Sequence, residues 1–252
     1  MQLVEVCLGR ETTPEAAQRA VRFVQKIGKL PVIVRDSPGF LVNRILLPYL
    51  VEAGQFFEMG AAVTEIDGAM LDFGMPMGPL RLIDEVGIDI AADVAATLAL
   101  KFSERMRVPR VLPRMMEASL LGRKSGRGFY LHHKGVEPTP NREANQFREG
   151  HSAEGVDRAE LQRRMVFLMV NEAARCLEEG IVEGAGDVDF AMVMGAGFAP
   201  FRGGPLRFAD EIGNATIASE LTRLASVGGT HFAPCALLSR LADSGGKFYE
   251  NE

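Results

Sequence analysis

Two polar side chains occupy positions where apolar residues would pack better. Asn43 falls, by three- and four-residue spacing, on the apolar stripe of a predicted helix in "SPGFLVNRILLPYL" (37–50). An amide there offers hydrogen-bond donors and an acceptor without titrating. Glu5 lies in the apolar, strand-like run "LVEVCLG" (3–9), where a carboxylate must find a partner. The alternatives are a structural amide bonded to neighbouring backbone, and a Glu5 that points outward to water.

Four further residues could bind a phosphate group through cationic or hydroxyl side chains. Arg44 is next along the same predicted helix and would face either a phosphate or a carboxylate. Lys124, Ser125 and Arg127 lie in "GRKSGRG" (122–128), where charge-assisted hydrogen bonds are available. A solvated turn is the alternative. The stretch is not a dinucleotide-binding loop, because it follows a helix and its glycine spacing is not that of G-x-G-x-x-G.

Whole-chain composition narrows the classes of function. The chain has 252 residues, 47% of them apolar and 24% charged, which is an ordinary globular composition. Its length suffices for one large or two ordinary domains. The net charge of -5 argues against general nucleic-acid binding, which depends on a basic surface. No apolar run approaches the ~20 residues of a membrane helix, and "MQLVEVCLGR" at the start lacks the regions of a signal peptide.

Cysteine and histidine are sparse and form no metal-binding pattern. Three widely spaced cysteines make no ligand spacing and no even disulfide set. They are Cys7, Cys176 and Cys235. His132 and His133 lie in a polar stretch, and His151 and His231 stand alone. We therefore predict no metal site and a reducing, cytoplasmic setting.

The first 36 residues predict a strand, a helix and a second strand. The helix has Thr13 as N-cap, Pro14 at its first position and Gly28 at its C-terminal end. The β-branched run "LPVIVRD" (30–36) gives the second strand. Two strands cannot cover themselves, so we expect them to belong to a larger sheet. The alternative is that they pack on the helical part alone.

From Ser37 onward the chain is predicted to be almost entirely helical. One long helix runs from Ser37 to about Met59, with Ser37 as N-cap and Pro38 at the first helical position. In the next helix, Thr64 and Asp67 have the spacing of a capping box. Helical elements should therefore form most of the core.

The helical part repeats itself in three blocks whose order is kept. They are "LVEAGQFFEMG" (50–60) with "VNEAARCLEEG" (170–180), "DGAM" (67–70) with "DFAM" (189–192), and "GPLRLIDEVG" (78–87) with "GPLRFADEIG" (204–213). Two copies of one helical unit fit a pseudo-twofold pair, packed like a dimer made within one chain, better than a solenoid. The second copy lacks "SPGFLVN", so we predict that it is scaffold and not a second site.

Several of these motifs carry a resemblance to a known family. "SPGFLVNRILLPYLVEA" (37–53), "MPMGPLRLIDEVGID" (75–89) and "GRKSGRGFY" (122–130) closely resemble the C-terminal helical domain of L-3-hydroxyacyl-CoA dehydrogenases. The repeat, with "GAGFAPFRGGPLRFAD" (195–210), resembles the second copy of that domain. A second copy is typical of the multifunctional fatty-acid β-oxidation enzymes, which join enoyl-CoA hydratase and dehydrogenase in one chain.

The resemblance implies a fold class and domain boundaries. We expect a mainly α chain with two tandem copies of the dehydrogenase C-terminal helical domain, preceded by a strand-helix-strand remnant of a Rossmann-type α/β domain. The expected boundaries are 1–36 for the end of the NAD-binding domain, 37–131 for the first helical domain, 132–156 for a turn-rich linker and 157–252 for the second helical domain. On this reading the chain is a C-terminal piece of a longer enzyme, or the product of a misplaced start.

The resemblance also implies a reaction. The family oxidises 3-hydroxyacyl-CoA to 3-oxoacyl-CoA with NAD, and a His poised near neutral pH takes the hydroxyl proton. That His and the family's catalytic Ser would lie before Met1, and no dinucleotide fingerprint is found in the chain. The chain should therefore be inactive alone. Glu5 matches the carboxylate that fixes the His, and Asn43 matches the amide near the His and the substrate's C3 oxygen.

The implied ligands and partners follow from the same family. Arg44, Lys124, Ser125 and Arg127 become candidate contacts to the CoA phosphates. A hydratase domain in the same full-length chain and a thiolase subunit are the implied protein partners. The alternative class of function is a non-catalytic helical binding or assembly module derived from such an enzyme.

Overall fold

Helices dominate the part of the chain that the computed structural model describes, residues 2–106, 108–149 and 157–249. They are α1 (Pro14–Lys26), α2 (Val42–Glu58), α3 (Val63–Phe73), α4 (Pro79–Val86), α5 (Ile88–Lys101), α6 (Val111–Glu117), α7 (Arg158–Glu178), α8 (Ala185–Ala191), α9 (Pro205–Ile212), α10 (Asn214–Gly228) and α11 (Ala236–Ser244). The strands are β1 (Leu3–Leu8), β2 (Leu30–Arg35), β3 (Tyr130–Leu131) and β4 (Thr139–Pro140). The predicted fold class, mainly α after a strand–helix–strand start, is confirmed.

The chain divides into two compact units that cut across the two sequence copies. The first, which we call the terminal unit, consists of Met1–Leu46 with Phe167–Glu252. The second, the central unit, is Leu47–Val166. The boundaries fall inside α2 and α7, so each unit takes one part of both helices.

In the terminal unit, β1 and β2 form a parallel pair with α1 packed against both strands. The predicted ends of α1 are confirmed: Thr13 Oγ1 accepts the N–H of Ala16, Pro14 is the first helical residue, and Gly28 has a φ of 72°. Within the described residues the sheet has two strands and also contacts α8 and a π-helical turn at Met192–Ala196. The two strands therefore pack on helical elements of this chain, which is the second of the two arrangements that the sequence left open.

The central unit has a core of large side chains, with the rings of Phe57 and Phe129 packed edge to face at 5.1 Å. Part of the predicted linker belongs to this unit. Its β4 strand pairs with β3, and the 3₁₀ segment Arg142–Phe147 buries Ala144 and Phe147. Residues 150–156 of the predicted linker lie outside the described residues.

The start of α3 differs from the capping box predicted for Thr64 and Asp67. Glu65 accepts the N–H of Ala62 (2.9 Å), so the side-chain cap comes from a different residue. Asp67 turns inward instead and is buried. The prediction was wrong because Asp67 has partners on the following helix, which local spacing does not reveal.

The two "GPLR" segments form helices of equal length, as the repeat predicted, although the glycine before the proline has a φ of -70° at Gly78 and of 111° at Gly204. In α4 and α9 a glycine precedes a proline at the first helical position. A Cβ on Gly78 would lie 2.2 Å from the Cβ of Asp67, and one on Gly204 would lie 2.3 Å from the Cβ of Asp189. Glycine is therefore required at both positions by the close approach of an aspartate.

Candidate active site

The carboxylate of Glu5 lies at the start of α2, in the terminal unit. Its Oε1 accepts the backbone N–H groups of Leu41 (2.8 Å) and Val42 (3.2 Å). The first N–H groups of a helix have no partner within the helix, and the positive end of the helix dipole favours a negative charge. Glu5 is half-buried, so the partner that its apolar strand demands is this helix end.

Two opposing effects act on the acidity of Glu5. Burial raises the pKa of Glu5 above its ordinary value, and the N–H groups of Leu41 and Val42 lower it again in part. The ionised form is thus held by fixed backbone donors. A carboxylate fixed in this way has a second oxygen that can accept a hydrogen bond from a neighbouring group.

The segment before α2 is a turn and not the predicted helix start. The carbonyl of Ser37 accepts the N–H of Phe40 (2.8 Å), and Phe40 has a φ of 50°, which is uncommon for a bulky residue. The helix begins only at Val42. The prediction of Ser37 as N-cap with Pro38 at the first position was therefore wrong, because Glu5 supplies the acceptor at this helix end.

Asn43 is the second residue of α2, and its side chain is exposed. It directly follows Val42, whose N–H binds Glu5, so the amide and the carboxylate belong to one helix end. Asn43 shares its helix face with Leu47 and Phe57, as its spacing predicted, and both of those residues are buried. The expectation that Asn43 takes the place of a packed apolar residue was wrong, because this face is open at the first turn of α2. An exposed amide is accessible to a ligand, whereas a buried structural amide is not.

The guanidinium of Arg44 binds carboxylates, which decides between the two ligands that the sequence left open. Its side chain is fully buried, with Nε 2.8 Å from Glu172 Oε1 and Nη2 2.7 Å from Glu179 Oε2. Its Nη1 donates to Ser37 Oγ at 3.1 Å. Arg44 is therefore not placed to bind a phosphate of a ligand, and we withdraw it from the candidate substrate contacts.

The other candidate phosphate contacts lie in the central unit, in an exposed turn. Lys124 pairs with Asp89, and Arg127 Nη1 lies 3.2 Å from Glu143 Oε2. The hydroxyl of Ser125 accepts the N–H of Leu121 and lies within hydrogen-bond distance of the carbonyls of Gly122 and Arg127, all in the same turn. Exposed ion pairs are weak and can exchange partners. A contact of this turn with CoA phosphates stays a prediction.

Asp67 is the buried centre of a network that the sequence reasoning missed. Its carboxylate accepts the backbone N–H groups of Leu80 (2.8 Å) and Arg81 (3.0 Å) at the start of α4. It also accepts the hydroxyl of Tyr130 at 2.7 Å. Burial raises the pKa of Asp67 to about 6, although these three bonds favour its ionised form.

The second copy repeats this network atom for atom. Asp189 accepts the N–H groups of Leu206 (2.8 Å) and Arg207 (2.9 Å) and the hydroxyl of Tyr249 (2.7 Å). The signal that could have found it is a fourth repeated block, "SGRGFY" (125–130) with "SGGKFY" (244–249). The network supports the helix starts and not the candidate site.

Replacing Tyr130 with Phe should destabilise the protein more at pH 8 than at pH 5. The folded-state pKa of Asp67, about 6, is above its ordinary 3.8, so the stability from this group is greatest at low pH and is lost as pH rises through 6. Without the hydroxyl that pKa rises further and the loss extends to higher pH. We expect about 1–3 kcal/mol at pH 8, measured by urea unfolding at both pH values.

Tyr249→Phe is the matched control. It removes the same bond from Asp189, but Tyr249 is only half-buried, so we expect a smaller cost at pH 8. Equal costs for the two variants, independent of pH, would contradict the role given to the Asp67 carboxylate.

The repeat is also visible in two Arg–Glu ion pairs. In each pair, the arginine of one copy binds a glutamate of the other copy. Arg44 of α2 pairs with Glu172 of α7 within the terminal unit. Arg164 of α7 pairs with Glu52 of α2 within the central unit. Positions 44 and 164, and likewise 52 and 172, match when the repeated blocks are aligned. Exchange of this kind is the pattern of an isologous contact, and the pseudo-twofold arrangement itself stays a prediction.

The described residues include neither a metal-binding cluster nor a membrane-spanning helix. They contain no group of three His, Cys, Asp or Glu side chains that could hold a metal ion, and none of their helices has the length and apolarity to cross a membrane. The β1–α1 turn offers no dinucleotide loop, since Thr12 and Thr13 side chains already bind the N–H groups of Gly9 and Ala16.

Family sequence models match most of the chain. The model of the 3-hydroxyacyl-CoA dehydrogenase C-terminal domain matches residues 39–132 and again residues 161–249. The model of the 3-hydroxyacyl-CoA dehydrogenase NAD binding domain matches residues 1–37. The two C-terminal matches fall on the two sequence copies.

Two curated relatives carry the name fatty acid oxidation complex subunit alpha. The one from Shewanella amazonensis is 41% identical over 251 residues, and the one from Vibrio cholerae is 37% identical over 249 residues. The matches take in 99% of this chain but only 36% and 35% of those proteins. The chain thus spans about a third of the length of these relatives.

Solved structures agree with the family match. The crystal structure of 3-hydroxybutyryl-CoA dehydrogenase from Escherichia coli matches with a TM-score of 0.78 at 26% identity, over 97% of this chain and 68% of that chain. The dehydrogenase part of multifunctional enzyme 1 from Caenorhabditis elegans, at 24% identity and a TM-score of 0.67 over 95% of this chain and 56% of that chain, shares the fold. With its strand–helix–strand segment and both helical copies matched to domains of one family, the chain belongs to the 3-hydroxyacyl-CoA dehydrogenase family.

Proposed function

We propose that this chain is the C-terminal portion of an NAD-dependent 3-hydroxyacyl-CoA dehydrogenase of fatty-acid β-oxidation, which converts 3-hydroxyacyl-CoA to 3-oxoacyl-CoA. The chain supplies substrate-binding and dimer-like helices. The observation that carries the proposal is the Glu5 carboxylate bound to the N-terminal end of α2, the helix end at which Asn43, the residue after Val42, is exposed. Because the chain belongs to the 3-hydroxyacyl-CoA dehydrogenase family, the reaction in which we propose that these two residues act is the oxidation of 3-hydroxyacyl-CoA.

Each of the two residues has a separate role in the proposal. Oxidation of a secondary alcohol needs a base for the hydroxyl proton. The base is a His contributed by the rest of the NAD-binding domain, and Glu5 binds its second ring nitrogen, which fixes the tautomer and stabilises the imidazolium. Asn43 donates a hydrogen bond to the C3 oxygen, most strongly while that oxygen carries developing negative charge. NAD, held outside the residues described, supplies the hydride acceptor.

The proposal extends to partners and location. We infer a hydratase domain in the same full-length protein and a thiolase subunit as partner from the resemblance to the multifunctional β-oxidation enzymes. The name of the relatives, fatty acid oxidation complex subunit alpha, supports a partner subunit. Three cysteines without a disulfide support a reducing, cytoplasmic setting.

The test uses a hybrid, which we call the exchange protein. It is the Shewanella amazonensis relative with its matching segment replaced by this chain. It should form NADH from a short 3-hydroxyacyl-CoA, whereas the isolated 252-residue chain should not. The isolated chain has no dinucleotide loop and lacks the proposed base, which alone typically contributes ~10²–10⁴-fold. The unmodified relative is the positive control.

Two outcomes would count against the proposal. An exchange protein that folds, by its thermal melt, yet forms no NADH would favour the non-catalytic binding or assembly module. Steady NADH formation by the isolated chain, in a preparation free of host enzyme, would show that the chain needs no further part for the reaction.

A further inference from the structure

Arg44 ties the second sequence copy to the turn that precedes α2. Each of its three guanidinium nitrogens has a different partner: Nε binds Glu172, Nη2 binds Glu179, and Nη1 donates to the hydroxyl of Ser37. Both carboxylates belong to the second copy, and Ser37 opens the turn. Because the guanidinium is planar and fully buried, three partners fix its position and orientation.

Two further contacts hold the same turn from the second copy. The N–H of Arg35, just before the turn, donates to the carbonyl of Ile181 at 2.8 Å. Beside the turn, a Cβ placed on Gly195 would lie 2.7 Å from Leu3 Cδ2 and 3.1 Å from Val42 Cγ2. The π-helical turn that contains Gly195 therefore packs against the strand of Glu5 and the first residue of α2.

The turn itself shows that it is held by its surroundings. Phe40 keeps a left-handed backbone at a φ of 50° although 40% of the side chain is exposed. A bulky residue in that conformation is strained and persists only where neighbouring structure enforces it. Contacts hold the chain on both sides of Phe40: those of Arg35 and, through Arg44, of Ser37 to the second copy, and those of Leu41 and Val42 to Glu5. Together they restrain the backbone of Phe40.

We infer that Glu172 and Glu179 of the second copy are positioning residues for the site, because through Arg44 they fix the turn and thus the place of Glu5 and Asn43. The inference rests on the proposed function, since the turn matters to catalysis only if those two residues act there. The second copy then does more than support the fold. It holds no second site, and it sets the geometry of the first.

The matched ion pair of the central unit provides the control. Glu172→Gln and Glu52→Gln each remove one buried carboxylate charge from an equivalent Arg–Glu pair. Only the first pair lies in the unit that contains Glu5 and Asn43. Amide hydrogen exchange, read by NMR on this chain, reports the N–H groups of Leu41 and Val42 that bind Glu5.

Glu172→Gln should speed amide hydrogen exchange at Leu41 and Val42 by about ten- to a hundredfold. This factor corresponds to losing one hydrogen bond to a charged group, on the order of a hundredfold or less. Glu52→Gln should leave both rates unchanged even if it lowers the melting temperature equally. Equal effects of the two variants, or no effect of Glu172→Gln in a folded chain, would overturn the inference. If Glu172→Gln does not fold, Ser37→Ala decides, since it removes only the link from Arg44 to the turn. Unchanged exchange in that variant also overturns it.

Turnover of the exchange protein separates this inference from the proposed function. Both Glu172→Gln and Glu5→Gln should lower kcat, and Glu52→Gln should not. If Glu5→Gln lowers kcat and Glu172→Gln does not, the positioning role is wrong and the proposed function stands. If neither variant changes kcat, the proposed function fails, and the inference fails with it.

Discussion

Glu5→Gln should lower the turnover of the exchange protein by about 10²–10⁴-fold, the usual share of acid–base catalysis. The variant keeps a carbonyl oxygen that can accept the N–H groups of Leu41 and Val42, so the helix end should stay in place. The negative charge beside the proposed imidazolium is lost. Because that charge raises the pKa of the base, its removal should also move the acid limb of the kcat/KM profile to lower pH.

The measurement is NADH formation across the pH range, beside a urea melt of the same variant. Glu15→Gln is the control, since Glu15 is an exposed carboxylate on α1 of the same segment. Wild-type turnover in a folded Glu5→Gln variant would mean that Glu5 only caps α2. An equal loss in Glu15→Gln would mean that the net charge of the segment, and not the placed carboxylate, is responsible.

Asn43→Ala should lower turnover by about 10²–10³-fold, the typical cost of losing a donor aimed at a reacting oxygen. Stability should not fall, because the side chain is exposed and alanine is the better helix former by roughly 0.5 kcal/mol. The two effects have opposite signs, which distinguishes a site residue from a structural one. NADH formation with a short 3-hydroxyacyl-CoA and a urea melt measure them.

The second copy again supplies the control for Asn43. Arg163 is its match when the repeated blocks are aligned, and in this structure it pairs with Glu160 at 2.9 Å near the surface. Arg163→Ala should therefore leave turnover unchanged. If Asn43→Ala keeps wild-type turnover but unfolds at clearly lower urea, the amide is a structural group.

Local chemistry was enough to predict some elements. Thr13 and Pro14 start α1 as predicted, because an N-cap and a first-turn proline act within three residues. The two "GPLR" helices have the same length because the same four residues precede or start each helix, and a buried aspartate binds the first N–H groups of both. Glu5 and Asn43 were selected through the family resemblance, while their shared helix end is a finding of the structure.

Other features depend on partners far away in sequence and could not be read locally. The helix expected at Ser37 starts at Val42, because its acceptor comes from Glu5, which is 37 residues away. Arg44 finds Glu172 across 128 residues, which no spacing rule anticipates. Asn43 lies on the same helix face as the buried Leu47, yet it is exposed, because spacing gives the face of a helix and not the point along it at which that face becomes covered.

The division of the chain into a terminal and a central unit bears on how the protein can be dissected. A cut between residues 132 and 156 separates the two sequence copies, but it leaves neither compact unit whole, because each draws on both sides of that cut. Half-proteins made there would each carry one half of the Arg44–Glu172 and Arg164–Glu52 pairs as unmatched buried charges. The sequence is duplicated, but neither copy contains a complete compact unit, so we expect that neither copy folds alone.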